Sequence, residues 1–99
     1  MKKYEGNRTI DGLVVTVDGK PLDEHYGVRQ FTSFGFEWSY EGDSPNQLAL
    51  AILADHLGDG GKALGLTEAF MKKVVANFDN DWELTGAEID AALKEFDEA

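Results

Sequence analysis

The sequence has no cysteine, only two prolines and few basic residues, and it contains no long apolar run. Without cysteine the chain cannot form a disulfide framework, a thiolate nucleophile or a zinc site with cysteine ligands. No apolar stretch approaches the roughly 18 residues that a membrane-spanning helix needs. The first residues also lack the apolar region of a signal peptide. We therefore expect a cytoplasmic protein without membrane contact.

Acidic residues outnumber basic ones by 19 to 9, which gives a net charge of −10. Residues 79–99 hold eight acids against Lys94 alone, so that segment carries −7. Such a field repels nucleic acid and anionic lipid and attracts basic surfaces. Two interpretations stay open: a solvated helix face that aids solubility, or a functional acidic patch. The second interpretation gives these candidate partner-binding residues: Asp79, Asp81, Trp82, Glu83, Glu88, Asp90, Glu95 and Asp97.

The first part of the chain has the patterns of a β-sheet. Residues 3–10 and 13–17 resemble strands, and Asp11-Gly12 between them is typical of a hairpin turn. Aromatic residues alternate with smaller or polar ones over residues 34–40, which predicts a third strand. Residues 22–33 have no clear period and predict a loop.

The strand-to-helix junction after residue 40 has the strongest local signal. Ser44 and Gln47 have the spacing of a capping box, and Pro45 falls at the first helical position, where its missing N–H costs nothing. We therefore predict a helix from about Pro45 to Leu57. Because its residues are apolar on nearly all sides, it should be the most buried helix.

Two further helices are predicted after the glycine-rich segment at residues 58–61. Thr67 is the expected N-cap of the second helix, and Thr85 with Glu88 repeats the capping box at the start of the third. Strands followed by helices predict an α+β fold, with a three-stranded antiparallel sheet and three helices packed on one face. The length predicts one domain over residues 1–99, with a sheet region in 1–40 and a helical region in 44–97.

Residues with catalytic or metal-binding chemistry do not form a recognisable motif. The serines lie outside any G-x-S-x-G context, and the glycines at 58–61 lack the Lys-Ser/Thr of a phosphate loop. His25 and His56 lack the i, i+4 spacing of a metal-binding pair. A calcium loop starting at Asp79 would have leucine where the turn needs glycine. We therefore expect a protein that is not an enzyme and that has no cofactor and no metal.

Aromatic residues are more numerous than one face of a three-stranded sheet must bury. Those left on the open face, or Trp82 in the acidic connection, would be interface anchors. This observation supports an alternative function, a structural or self-assembly domain that uses the open sheet face or a free strand edge.

The run from Phe36 to Leu53, together with Tyr4-Glu5-Gly6-Asn7-Arg8, resembles a small family of unknown function from bacteria, archaea and their viruses. This resemblance spans most of the chain and implies a fold, but no activity and no catalytic residues.

By size and acidity alone, the chain also resembles phage or mobile-element inhibitors of host defence such as anti-CRISPR proteins. That likeness implies a non-enzymatic module that blocks a basic surface, such as the nucleic-acid site of a CRISPR-type effector complex, and does not itself bind nucleic acid. A small housekeeping domain is a further alternative.

Overall fold

The computed structural model describes residues 2–97, with the backbone alone at Asp97. Four strands form one antiparallel sheet in the order β3-β2-β1-β4. These strands are β1 (Lys3–Thr9), β2 (Gly12–Val17), β3 (Lys20–Pro21) and β4 (Trp82–Thr85). The three α-helices are α1 (Asp43–Leu57), α2 (Gly60–Lys73) and α3 (Gly86–Asp97), and a 3-10 turn spans Val75–Asn77. The predicted α+β class, with an antiparallel sheet and three helices, is confirmed.

The central strand β1 takes its two neighbours from opposite ends of the chain. Tyr4 lies opposite Val17 of β2 on one side and opposite Leu84 of β4 on the other. The predicted hairpin of β1 and β2 is confirmed. Gly12, the first residue after the turn, has φ 120°, which glycine adopts readily. The sequence pattern places Trp82 and Leu84 in a connection between helices, whereas the structure places them in a strand that completes the sheet.

The two faces of the sheet differ in composition because side chains alternate along each strand. Tyr4, Val15 and Leu84 share the inner face and are buried there. The Tyr4 hydroxyl donates a 2.6 Å hydrogen bond to the carboxylate of Asp55 in α1. Burial raises the pKa of the Tyr4 hydroxyl, and the hydrogen bond to Asp55 raises it further. The helical layer therefore covers the inner face.

The predicted aromatic strand at residues 34–40 is wrong, because this segment has no regular structure. Gly35 and Ser39 both have positive φ, 85° and 77°, which interrupts an extended chain. Trp38 is fully buried, whereas the side chain of Phe34 is 92% exposed. The alternating pattern therefore belongs to an irregular loop in which only some aromatic rings reach the core.

The predicted capping box at Ser44 and Gln47 is also wrong. Helix α1 begins at Asp43, and its N-cap residue is Gly42, which has no side chain to cap with. The Ser44 hydroxyl instead donates to the hydroxyl of Thr32 at 3.3 Å. The predicted burial of α1 is confirmed, since every residue from Gln47 to Ala54 is buried.

Gln47 is fully buried in α1, and its side-chain amide holds the preceding loop in place. Its Oε1 accepts from the N–H of Phe31 at 2.7 Å. Its Nε2 donates to the carbonyls of Glu24, at 2.8 Å, and Arg29, at 3.0 Å. The loop over residues 22–33 has few regular hydrogen bonds of its own, so this one side chain replaces them.

The end of α1 and the start of α2 are each set by a local feature of the chain. Gly58 ends α1 in the left-handed region with φ 67°. Asp59 caps α2 by accepting from the N–H of Lys62 at 3.0 Å. Thr67 is therefore not the N-cap that its sequence context predicts, and it is buried within α2 with its hydroxyl bonded to a helix carbonyl.

The capping box predicted for the last helix is confirmed. The N–H of Glu88 donates to the Thr85 hydroxyl at 3.2 Å, and the Glu88 carboxylate accepts from the N–H of Thr85 at 3.0 Å. This reciprocal pair fixes the change from β4 to α3.

Candidate functional site

The outer face of β1 and β4 presents two carboxylates directly opposite each other. Glu5 of β1 pairs in register with Glu83 of β4. Like charges in this position destabilise a strand pair. Lys3 offsets the repulsion, because its Nζ lies 3.6 Å from Glu5 Oε1 and 3.2 Å from Glu83 Oε1. The hydrogen bond to Glu83 and the charge of Glu5 raise the pKa of the Lys3 amine.

Asn7 and Asp81 extend this surface beside the glutamate pair. We call Lys3, Glu5, Asn7, Asp81 and Glu83 the outer acidic face. Glu5, Asn7, Asp81 and Glu83, together with Trp82, line a shallow cavity of about 370 Å³. Asp81 Oδ1 also accepts from the backbone N–H of Arg8 at 3.3 Å, which ties the approach to β4 onto β1.

The outer acidic face can act chemically as an acceptor of cationic donors. It holds three carboxylates and one ammonium group, so its local charge is negative. Charge-assisted hydrogen bonds from lysine or arginine to such carboxylates are stronger than neutral ones. No group of three or more metal-ligating side chains lies close together within residues 2–97. The arrangement is therefore better matched to basic side chains than to a metal ion.

Three of the acidic residues predicted on α3, Glu88, Asp90 and Glu95, already have partners in the protein. Glu88 belongs to the capping box. Asp90 Oδ1 lies 2.7 Å from His56 Nε2 of α1, and Glu95 forms an ion pair with Lys73 of α2. These contacts join α3 to the other two helices, and they leave the carboxylates exposed at the surface.

The remaining predicted acidic site residues differ in whether they have contacts and in whether they lie near the outer acidic face. Asp79 is exposed and makes no hydrogen bond or ion pair within the part of the chain that the structure describes. The side chain of Asp97 lies outside the described residues. Asp81 and Glu83 are the predicted residues that the fold brings together with Glu5, which the charge distribution did not single out.

Trp82 is buried, so the expectation of an exposed aromatic anchor at this position is wrong. The residue is 7% exposed, and its ring stacks on Phe78 at a centroid distance of 4.2 Å and forms a T-shaped contact with Trp38 at 5.8 Å. The expected aromatic open face is also wrong: the outward-facing residues of β1, β2 and β4 include no aromatic side chain.

A polar cluster around Arg8 was not predicted from charge or spacing. The Arg8 guanidinium lies 2.7 Å from Glu37 and donates to the carbonyl of Trp38 and the side chain of Asn80, both at 3.1 Å. Burial alone would raise the pKa of Glu37, but the Arg8 hydrogen bond and the backbone N–H of Trp38 outweigh it and lower the pKa. The family resemblance rests on two motifs, residues 4–8 and 36–53. They meet in this cluster, because Arg8 contacts Glu37 and Trp38.

These features define a small α+β domain with helices on one sheet face and carboxylates on the other. The chain belongs to a family of unknown function, DUF6166, whose model matches residues 4–95. No curated protein and no solved structure matches it. Within residues 2–97, no helix has the length and apolar character needed to cross a bilayer.

Proposed function

We propose that this chain is a non-enzymatic module that binds a basic protein surface through the outer acidic face. The observation that supports this most directly is the Glu5–Glu83 pair. These two carboxylates lie opposite each other on neighbouring strands. Among the described residues, Lys3 is the only cation that forms ion pairs with both. A lysine or arginine from a partner would relieve the remaining repulsion.

The net charge of the chain supports the same class of partner. A charge of −10 on 99 residues steers a basic surface toward the protein and makes the association sensitive to salt. Surfaces that hold nucleic acid are rich in lysine and arginine because they neutralise phosphates. We therefore propose inhibition by occupation of a nucleic-acid site, and a CRISPR-type effector complex of a bacterial host is the specific candidate. The likeness in size and acidity to phage inhibitors supports that candidate.

The self-assembly alternative has less support. Its use of the open sheet face depended on aromatic residues left there, and the outward-facing residues of β1, β2 and β4 include no aromatic side chain. Each copy also carries −10, which opposes association of two copies.

The test is affinity capture from a bacterial host with wild-type protein and two double variants. Glu5→Gln/Glu83→Gln removes the carboxylate pair, and Glu41→Gln/Glu68→Gln removes the same charge from exposed positions elsewhere. We expect wild type and the control variant to retain a nucleic-acid-binding complex that DNA or RNA displaces, and the Glu5/Glu83 variant to lose it. Equal capture by both double variants would contradict the proposal. So would an affinity that does not change between low salt and about 0.5 M salt, where exposed charges are screened.

A further inference from the structure

Half of strand β2 lies at an unpaired edge of the sheet. Strand β3 pairs only with Thr16 and Val17 of β2. Antiparallel ladders direct the backbone groups of successive residues to alternate neighbours. Val15 accepts from the N–H of Leu22 on the β3 side at 3.1 Å, so the N–H and C=O of Leu13, two residues earlier, point to that side as well. Within residues 2–97 no hydrogen bond reaches these two groups.

The chain itself is kept away from this edge. After Pro21 the backbone does not continue β3 as far as Glu24, the residue that would face Leu13, and it turns at His25, which has φ 58°. Gln47 Nε2 donates to the Glu24 carbonyl at 2.8 Å and so holds this stretch against α1. The edge at Leu13 is therefore left open because Gln47 holds the Glu24 carbonyl.

A groove with several apolar residues in its lining lies next to the unpaired edge. Its volume is about 320 Å³, and its lining residues are Leu13, Val15, Glu24, Phe34, Gly35 and Phe36. Phe34 is 92% exposed and Leu13 is 37% exposed, although both are large apolar side chains. Glu24 is the one charged residue in the lining. Free backbone groups beside apolar pockets are the features by which proteins bind an extended peptide as an added strand.

We infer that β2 accepts an extended segment of a partner protein as an additional strand at Leu13. The segment places an apolar side chain between Leu13 and Phe34 and a lysine or arginine against Glu24. Charge selects this occupant over a second copy of the chain, because the groove carboxylate and the −10 net charge favour a basic segment and oppose another acidic molecule. This site is separate from the outer acidic face and does not depend on the function proposed for it.

The test uses a phage library of linear dodecapeptides, panned against the whole protein, and then one enriched peptide made by synthesis. We expect the enriched peptides to share an apolar residue near a lysine or arginine. Phe34→Ala and Glu24→Gln should each weaken the binding of the synthetic peptide at least tenfold by calorimetry. Hydrogen exchange at the Leu13 amide should slow in the complex. Ile10→Ala is the matched control, since Ile10 is fully exposed at the hairpin tip and outside the groove lining, and it should bind like wild type.

Three results would overturn the inference. The first is a panning experiment in which the wild-type protein enriches only the clones that the Phe34→Ala protein also enriches. The second is peptide binding that the Glu5→Gln/Glu83→Gln variant loses, which would assign the peptide to the outer acidic face. The third is a dimer in light scattering that Phe34→Ala abolishes, which would make a second copy the occupant. Retained peptide binding by the Glu5/Glu83 variant separates this inference from the proposed function.

Discussion

Gly6 of β1 lies directly opposite Trp82 of β4, and the indole occupies the space that a side chain at residue 6 would need. A Cβ added to Gly6 would lie 2.2 Å from Trp82 Nε1 and 2.3 Å from Cε2. The ring cannot move freely, because it is packed against Phe78 and Trp38. Strand β4 can therefore join β1 only because residue 6 has no side chain.

Gly6→Ala should destabilise the protein by about 1–3 kcal/mol, the usual cost of overpacking a tight core. Urea unfolding followed by tryptophan fluorescence would measure it. Gly65→Ala is the matched control, because Gly65 lies inside α2 and a Cβ there meets nothing within 4 Å. That change should stabilise by about 0.5–1 kcal/mol, the helix-propensity difference. A Gly6→Ala protein as stable as wild type would contradict the packing described for Trp82.

Gln47→Leu should cost about 2–4 kcal/mol, because it leaves the N–H of Phe31 and the carbonyls of Glu24 and Arg29 without their buried partner. Ser44→Ala should cost less than about 1 kcal/mol, since it removes one hydroxyl contact and no helix cap. Chemical denaturation of both variants gives the comparison. The reverse ranking would restore the capping-box interpretation of this motif.

Glu37→Gln should reduce the loss of stability in acid. The folded-state pKa of Glu37 is lowered, so the stability that its carboxylate contributes is present above its ordinary value of 4.5 and is lost as pH falls through the folded value. Thermal unfolding from pH 6 to pH 3 should therefore show a shallower decline in Tm for Glu37→Gln than for wild type. Glu41→Gln changes an exposed carboxylate without a hydrogen bond among residues 2–97 and serves as the control. Identical slopes for both variants would contradict the role given to the Arg8–Glu37 contact.

Asp59→Ala should destabilise by about 1 kcal/mol through loss of the N-cap of α2. Asp59→Asn keeps a side-chain oxygen for the Lys62 N–H and should recover most of that loss. Helical circular dichroism during urea unfolding would measure both variants. If Asn and Ala were equally destabilising, the carboxylate charge rather than the cap would be the stabilising element.

Features encoded by neighbouring residues could be predicted from the sequence. The hairpin follows from Asp11-Gly12 between two strand-like runs, and the start of α3 follows from Thr85 and Glu88 three residues apart. Both depend on contacts within a few residues. The α+β class follows from the order of these local elements.

Features that depend on distant contacts could not be predicted in this way. The period-2 aromatic pattern at residues 34–40 matches a strand, yet Arg8 fixes this loop from β1 through Glu37 and Trp38. Gln47 has the spacing of a capping residue, and only the folded chain shows that its amide bonds the backbone of Glu24. Local spacing is the same in both interpretations, so it could not separate them.

The candidate site could be predicted only in part, because it too depends on contacts between distant residues. The charge distribution identified Asp81 and Glu83 in the acidic segment, but Glu5 joins them only when β4 pairs with β1. The sequence makes Trp82 a candidate interface anchor in the acidic connection, whereas strand alternation turns its ring to the inner face.

The pairing of Lys3 with Thr85 has a consequence for synthesis on the ribosome. The β1–β2 hairpin can form while most of the chain is still untranslated, but β1 then has an unpaired edge until residue 85 has been made. Exposed strand edges are sites of aggregation in nascent proteins. Glu5, Gly6 and Asn7 at the centre of β1 have low strand propensity. Gly6, which makes room for Trp82 of β4, and its two neighbours thus make the unpaired edge of β1 a poor template for a wrong partner.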